Sequence, residues 1–291
     1  MRRLRRAAPK ELEAGDNLGD YGLEQLLGEG GMGLVFRAVR KRDGEVVALK
    51  VLRDELAHDG LFRRRFAQEA RAATEVRDRH LVPILDAGEI DGRHYLAVRY
   101  AEGGSLEERI REQGPLGIEE TLRLADDVGT GLDALHAAGL VHRDLKASNV
   151  VFDRDGTAML TDFGLAKGRA YTVLTRPGQV VGTAHYMAPE LIKGETATPA
   201  SDIYALGCTV FECLTGTTPF GEKTLFMVGL AHVEDSPPSP AEARPELGAA
   251  AAEAVLTALE KDPERRPLTA GAYAARLRAA LDSPLTREPS S

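Results

Sequence analysis

The chain has no apolar run approaching the roughly 18–20 uninterrupted residues of a membrane-spanning helix, which argues against a membrane span. Cysteine is nearly missing. The two present, Cys208 and Cys213, lie in one apolar, helix-like segment at a spacing that does not bring them face to face, so they read as buried thiols of a reducing cytoplasm rather than a disulfide. A basic excess is also missing: 37 Lys and Arg stand against 45 Asp and Glu, a net charge of −8, which sets aside a nucleic-acid-binding body. The start, Met1-Arg2-Arg3-Leu4-Arg5-Arg6, lacks the apolar core and cleavage site of a secretory signal. It is read as a solvated arm in preference to a contact with anionic membrane or an acidic partner. No internal repeat is visible.

What is present is ample material for globular cores: 291 residues, 43% hydrophobic and 28% charged. Structure is expected to begin near Tyr21 with a strand that runs into Gly28-Glu29-Gly30-Gly31-Met32-Gly33. Leu34 to Val39 reads as the second strand, Asp43-Gly44 as a hairpin turn and Glu45 to Leu52 as the third strand. Leu61 to Val76 carries apolar residues at helical spacing, and two more strands are expected over Leu81–Leu85 and Tyr95–Val98, joined through Asp91-Gly92. The character changes at Glu102-Gly103-Gly104. Ile118 to Ala138 is an amphipathic helix with Gly139 suited to its C′ position. A strand pair, Val150–Phe152 and Ala158–Leu160, turns at Asp155-Gly156, and the pattern is helical from Asp202 to Leu281. The fold class is therefore α+β: a small antiparallel β-sheet lobe with one helix, then a larger, mainly α-helical lobe. The expected boundaries are an arm at 1–19, lobes at 20–100 and 101–282, and a disordered tail at 283–291.

The chemistry concentrates in a few strings. His142-Arg143-Asp144-Leu145-Lys146-Ala147-Ser148-Asn149 places a carboxylate, an ammonium and a metal-ligating amide in one loop. Transfer of a phosphoryl group from ATP to a hydroxyl needs that set: Asp144 to accept the proton, Lys146 to neutralise the moving phosphoryl, Asn149 to hold magnesium. Gly28, Gly30 and Gly33 share a spacing with dinucleotide-binding turns, but there a helix follows; here a strand does, which selects a flap over phosphates. On the next strand Ala48 and Lys50 share a face, Ala48 leaving room for adenine and Lys50 reaching phosphates. Glu69 is the candidate anionic partner of Lys50, with Glu75 as runner-up. Asp162-Phe163-Gly164 follows a strand 18 residues after Asp144 and offers a carboxylate to Mg²⁺. Thr172 and Thr175 lie in the loop between Gly164 and Gly182, and the Arg143 guanidinium could pair a phosphate placed there.

Together these strings, with Gly182-Thr183-Ala184-His185-Tyr186-Met187-Ala188-Pro189-Glu190, resemble the bacterial eukaryotic-like (Hanks-type) Ser/Thr protein kinases of the PknB type, from about Asp20 to Leu281. The resemblance implies the two-lobe kinase fold with ATP in its cleft, Mg²⁺ (or Mn²⁺) as cofactor, and proteins bearing Ser or Thr as substrates. Carried over by residue, it makes Leu27, Gly28, Glu29, Gly30, Gly31, Met32, Gly33, Leu34 and Val35 the nucleotide loop and pairs Lys50 with Glu69. It makes Val98 the gatekeeper, Arg99 to Ala101 the hinge, Asp144 the catalytic base, and Asn149 and Asp162 the metal ligands. Thr183 is expected to bond Asp144 and Lys146, Glu190 to pair with Arg266, and Asp202 to brace the catalytic loop. Lys146 favours Ser/Thr over Tyr as acceptor. Arg99 departs from the acidic hinge residue usual in the family. Pro177 stands near a usual neighbour phosphosite, which leaves Thr175, assisted by Thr172, as the candidate for autophosphorylation; self-association for that purpose is left open. The absence of a membrane helix implies a soluble, cytoplasmic signalling kinase or a separate catalytic domain. A pseudokinase scaffold would lack a catalytic group, and none is missing. A small-molecule kinase would lack the 182–190 segment and the helices after Asp202.

Overall fold

A computed structural model describes residues 12–30, 33–53, 69, 71–163 and 183–282. The chain divides into two compact units, Met1–Gly60 with Ile84–Tyr100, and Leu61–Pro83 with Ala101–Ser291.

The first unit is a six-stranded antiparallel sheet: β1 (Asn17–Leu18), β2 (Tyr21–Gly30), β3 (Gly33–Arg40), β4 (Glu45–Leu52), β5 (Ile84–Ile90) and β6 (Arg93–Arg99), in spatial order β1-β2-β3-β4-β6-β5. Period-two alternation sorts β4 by face. Val47, Leu49 and Val51 join Phe36, Ala38, Tyr95 and Ala97 in the core, while Ala48 and Lys50 turn to the other face. Although β2 and β5 are far apart in strand order, the Tyr21 hydroxyl reaches Asp86 Oδ2 at 2.8 Å, and the Tyr95 hydroxyl donates to the same oxygen at 2.9 Å. The sheet therefore curls until β2 and β5 meet, and burial with the Asp86 carboxylate pushes the Tyr95 phenol up to about 12. Asp91 and Gly92 both take positive φ, 53° and 80°, as a two-residue hairpin turn requires.

One expected strand shifts. Leu81–Leu85 does not enter this sheet as a unit: β5 starts at Ile84, and Leu81 instead forms a parallel bridge with Leu160 of the second unit. Pro83, which has no N–H to give a ladder, marks the break.

The second unit is mainly helical. In chain order its helices are α1 (Leu106–Gln113), α2 (Ile118–Ala137), α3 (Pro189–Ile192), α4 (Pro199–Thr215), α5 (Leu225–Glu234), α6 (Pro240–Ala243), α7 (Gly248–Leu256) and α8 (Ala270–Asp282), with residues 71–75 helical as well. A short hairpin, β7 (Val150–Phe152) and β8 (Ala158–Leu160), carries the loop between α2 and α3. Helix α2 buries Leu122, Ala125, Val128, Leu132 and Leu135 and packs on α4, α8 and β8. It ends as expected. Gly139 takes φ 74°, its N–H bonds the His136 carbonyl, and the Leu140 N–H bonds that of Leu135, two bonds that satisfy the helix's last carbonyls. Helix α4 is buried over most of its length, with Cys208 and Cys213 inside as free thiols.

Candidate active site

The first unit presents the glycine turn and the Ala48/Lys50 face. Register places Gly28 opposite Val35, Val35 opposite Lys50, and Ala48 opposite Val98, so the residues expected at the nucleotide share one face of the sheet. The glycines differ in what they permit. A Cβ on Gly28 or Gly30 would meet nothing within 4 Å, leaving the space a phosphate would need, whereas one on Gly33 would lie 1.9 Å from the Val51 carbonyl oxygen. Gly33 is thus required by the close approach of β3 to β4. Arg53, which the sequence pattern does not single out, holds this turn by bonding the Gly30 carbonyl at 3.2 Å and Glu29 at 2.6 Å. Gly31 and Met32 lie outside the described residues, as do Gly164, Thr172, Thr175 and Gly182.

In the second unit the strand β7 follows a loop whose polar groups converge on Asp144. The Thr183 hydroxyl donates to Asp144 Oδ1 at 3.1 Å, and Lys146 Nζ lies 3.8 Å from Asp144 Oδ2 and 3.5 Å from the Thr183 oxygen. Asn149 Nδ2 donates to the Asp144 carbonyl at 2.7 Å and to Oδ2 at 3.3 Å. With both its neighbours acceptors, the Asn149 amide must turn its nitrogen to Asp144, which leaves its oxygen as the end suited to a hard cation. Asp202, 1% exposed, braces the loop from below: Oδ2 accepts from the His142 N–H at 2.8 Å and Oδ1 from the Arg143 N–H at 2.9 Å. His136 Nε2, 2.8 Å from Asp202 Oδ2, is a further member of this cluster that the motif does not reveal.

Arg143 and Asp162 both stand in the left-handed region, at φ 67° and 60°. Such backbone costs a non-glycine residue about 1–2 kcal/mol and is kept where the surroundings hold it. His142 is fully packed, ring edge toward Phe163 at 6.3 Å, and burial holds its pKa below the usual value despite the nearby Asp202, Asp144 and Asp162. Its Nδ1 accepts the Asp144 N–H at 3.3 Å, so the neutral ring carries its proton on Nε2, which has no partner among the described residues. Glu69, the expected partner of Lys50, accepts a bond from Arg143 Nη1 at 2.8 Å.

The segment after Thr183 is anchored as expected. Arg266 makes two bonds of 2.8 Å to Glu190, both side chains buried, and Ser201 adds a third at 2.7 Å. Burial alone would raise the Glu190 carboxyl; the Arg266 guanidinium outweighs it and the net shift is downward. Among the described residues, no helix is long and apolar enough to cross a membrane.

Comparisons with known proteins agree with this geometry. The protein kinase domain family matches residues 21–276. The chain is 40% identical over 271 residues to the serine/threonine-protein kinase PknE of Mycobacterium tuberculosis, covering 93% of this chain and 48% of that protein. It is 37% identical over 275 residues to PknH of Mycobacterium bovis, covering 94% of this chain and 46% of that one. The chain therefore spans about half the length of the curated relatives it matches. The crystal structure of the Mycobacterium tuberculosis PknI kinase domain superposes with a TM-score of 0.74 at 28% identity, covering 93% of this chain and 99% of that one. With the curled sheet, the helical unit and the Asp144 cluster all in place, the chain belongs to the protein kinase family, in its bacterial Hanks-type group.

Proposed function

We propose that this chain transfers the γ-phosphoryl group of ATP to Ser and Thr hydroxyls of proteins. The observation that carries the reading is the convergence of Lys146, Asn149 and Thr183 on the Asp144 carboxylate. Asp144 takes the proton of the acceptor hydroxyl as its oxygen forms the bond to the γ-phosphorus and the bond to the β,γ-bridging oxygen breaks, ADP leaving with that electron pair. Lys146 neutralises charge on the phosphoryl in flight, and Thr183 fixes the Asp144 carboxylate. Asn149, through its amide oxygen, and Asp162 are the groups that would hold magnesium; the cation, when bound, neutralises phosphate oxygens and orients them. Gly28, Gly30, Gly33, Val35, Ala48 and Val98, with Lys50 and its proposed partner Glu69, serve the nucleotide, and Ala101 belongs to the hinge. A cytoplasmic setting, which the demand for ATP and the reduced Cys208 and Cys213 support, completes the proposal.

Labelled ATP, Mg²⁺ and a basic protein substrate provide the test. Wild type should transfer label, and Asp144→Ala should lose at least about a hundredfold, the lower range for a positioned general base. No transfer by wild type, or equal transfer by the variant, would sink the proposal.

The regulatory part concerns Arg143, whose guanidinium now holds Glu69. A phosphate on Thr175, or on Thr172, would compete for that guanidinium and release Glu69. Phosphopeptide mapping after incubation with ATP should find the loop modified and Thr175→Ala less active; an unmodified loop in a fully active enzyme would reject this part.

A further inference from the structure

The far end of β2 is tied down by a side chain rather than by packing. From Glu24 to Gly30 the strand is exposed, and its glycines have nothing to bury. Glycine also gives the backbone more freedom to lose on ordering than any other residue does, so this end needs an outside hold. β2 and β3 meet there on paired glycines, Gly30 opposite Gly33, and Gly33 in turn lies opposite Leu52 of β4. Arg53 follows Leu52. Its side chain crosses two strand spacings, about 10 Å, past Gly33, which has no side chain to stand in the way. Nε then donates to the Gly30 carbonyl at 3.2 Å and Nη2 to Glu29 Oε1 at 2.6 Å.

Stability does not account for this arrangement. The Arg53 and Glu29 side chains are 40% and 55% exposed, and an ion pair that open to water adds little to a fold. Its effect is local. Glu29 sits between Gly28 and Gly30, the two positions whose missing Cβ leaves open space. A lone carboxylate there would repel an anion entering that space. Arg53 cancels the charge and, by gripping the Gly30 carbonyl at the same time, fixes the backbone beside it. A lysine would supply the charge without the fork that reaches two acceptors.

We propose that Arg53 is a positioning residue for the nucleotide phosphates, holding the Glu29–Gly30 end of β2 in place and cancelling the Glu29 charge beside them. This rests on the kinase reading and adds to it a residue that lies outside the glycine, lysine and Asp144 strings. The base is served by other residues of the same sheet, Val35 and Ala48, which Arg53 does not touch. Loss of Arg53 therefore weakens ligands in proportion to their phosphates: the freed Glu29 carboxylate repels them, and the freed Gly30 backbone must be ordered at their expense.

The test measures, by calorimetric titration of the full chain, the binding of ADP with Mg²⁺ and of adenosine to wild type, Arg53→Met, Arg53→Lys and the double variant Arg53→Met with Glu29→Gln. Arg53→Met should weaken ADP about tenfold, the loss expected for one charge-assisted hydrogen bond. Adenosine, which carries no phosphate, should stay within about twofold of wild type. Arg53→Lys should fall between wild type and Arg53→Met, and the double variant should bind ADP more tightly than Arg53→Met because the unpaired carboxylate is gone. An ADP affinity that Arg53→Met leaves unchanged, or that Glu29→Gln fails to improve in that background, would overturn the proposal. So would a parallel loss of adenosine, which marks damage to the whole sheet rather than to the phosphate side. Wild type binding neither ligand would reject the kinase reading itself, and this proposal with it.

Discussion

At the scale of single residues, the glycine turn between β2 and β3 separates two reasons for being glycine. Gly28 and Gly30 face open space and Gly33 does not. Gly33→Ala should therefore cost about 1–3 kcal/mol, the usual penalty for overpacking, and lower the melting temperature. Gly30→Ala should leave the melting temperature near wild type and raise the KM for ATP. Calorimetry with ATP titration checks both, and equal melting temperatures for the two variants would contradict the assignment. The sequence shows the glycine spacing and the strand that follows, and the fold has that strand as β3. The sequence does not show that Val51 lies against Gly33, because that contact depends on the register of β3 on β4. The same holds for Glu69. Its helical spacing marks it as a candidate anion, yet the bond to Arg143, 74 residues away, arises only from the fold.

At the scale of elements, local pattern carries most of the information. Alternation in β4 separates the core residues Val47 and Leu49 from Ala48 and Lys50, and the apolar stripe with Gly139 delimits α2 to within a residue. The exception is Leu81–Leu85, where an apolar run reads as one strand but Pro83 divides it between two units. The Glu190–Arg266 pair shows how elements distant in sequence lock together. Removing one member of a buried pair leaves the other charged and unpaired, a loss of about 3–5 kcal/mol. Arg266→Met should lower the unfolding free energy by that amount near neutral pH, read as a lower urea midpoint at unchanged m. The pH dependence has a definite sign. A depressed Glu190 pKa stabilises the fold fully above the ordinary 4.5, and that stabilisation is lost as pH falls through the native value. The difference between wild type and variant should accordingly shrink in acid; a difference that is constant with pH would contradict the pairing.

At the scale of the whole molecule, the sheet unit and the helical unit each have a core of their own, and each carries a distinct share of the residues proposed for the chemistry: glycines and Lys50 on one, Asp144, Asn149, Asp162 and Thr183 on the other. The motifs survive as short strings because each sits in one loop or strand end, which is why the proposed reaction can be read from the sequence. Supports such as His136 beneath Asp202, and the closure of Tyr21 and Tyr95 over Asp86, join positions tens of residues apart and leave no local signature. In the proposed reaction the Asp144 cluster serves Ser and Thr hydroxyls. Mass spectrometry of a basic peptide holding one Ser, one Thr and one Tyr, incubated with ATP and Mg²⁺, tests it most directly. Phosphate on Ser or Thr with Tyr untouched is the predicted result; phosphate on Tyr alone, or on none of the three, would contradict it.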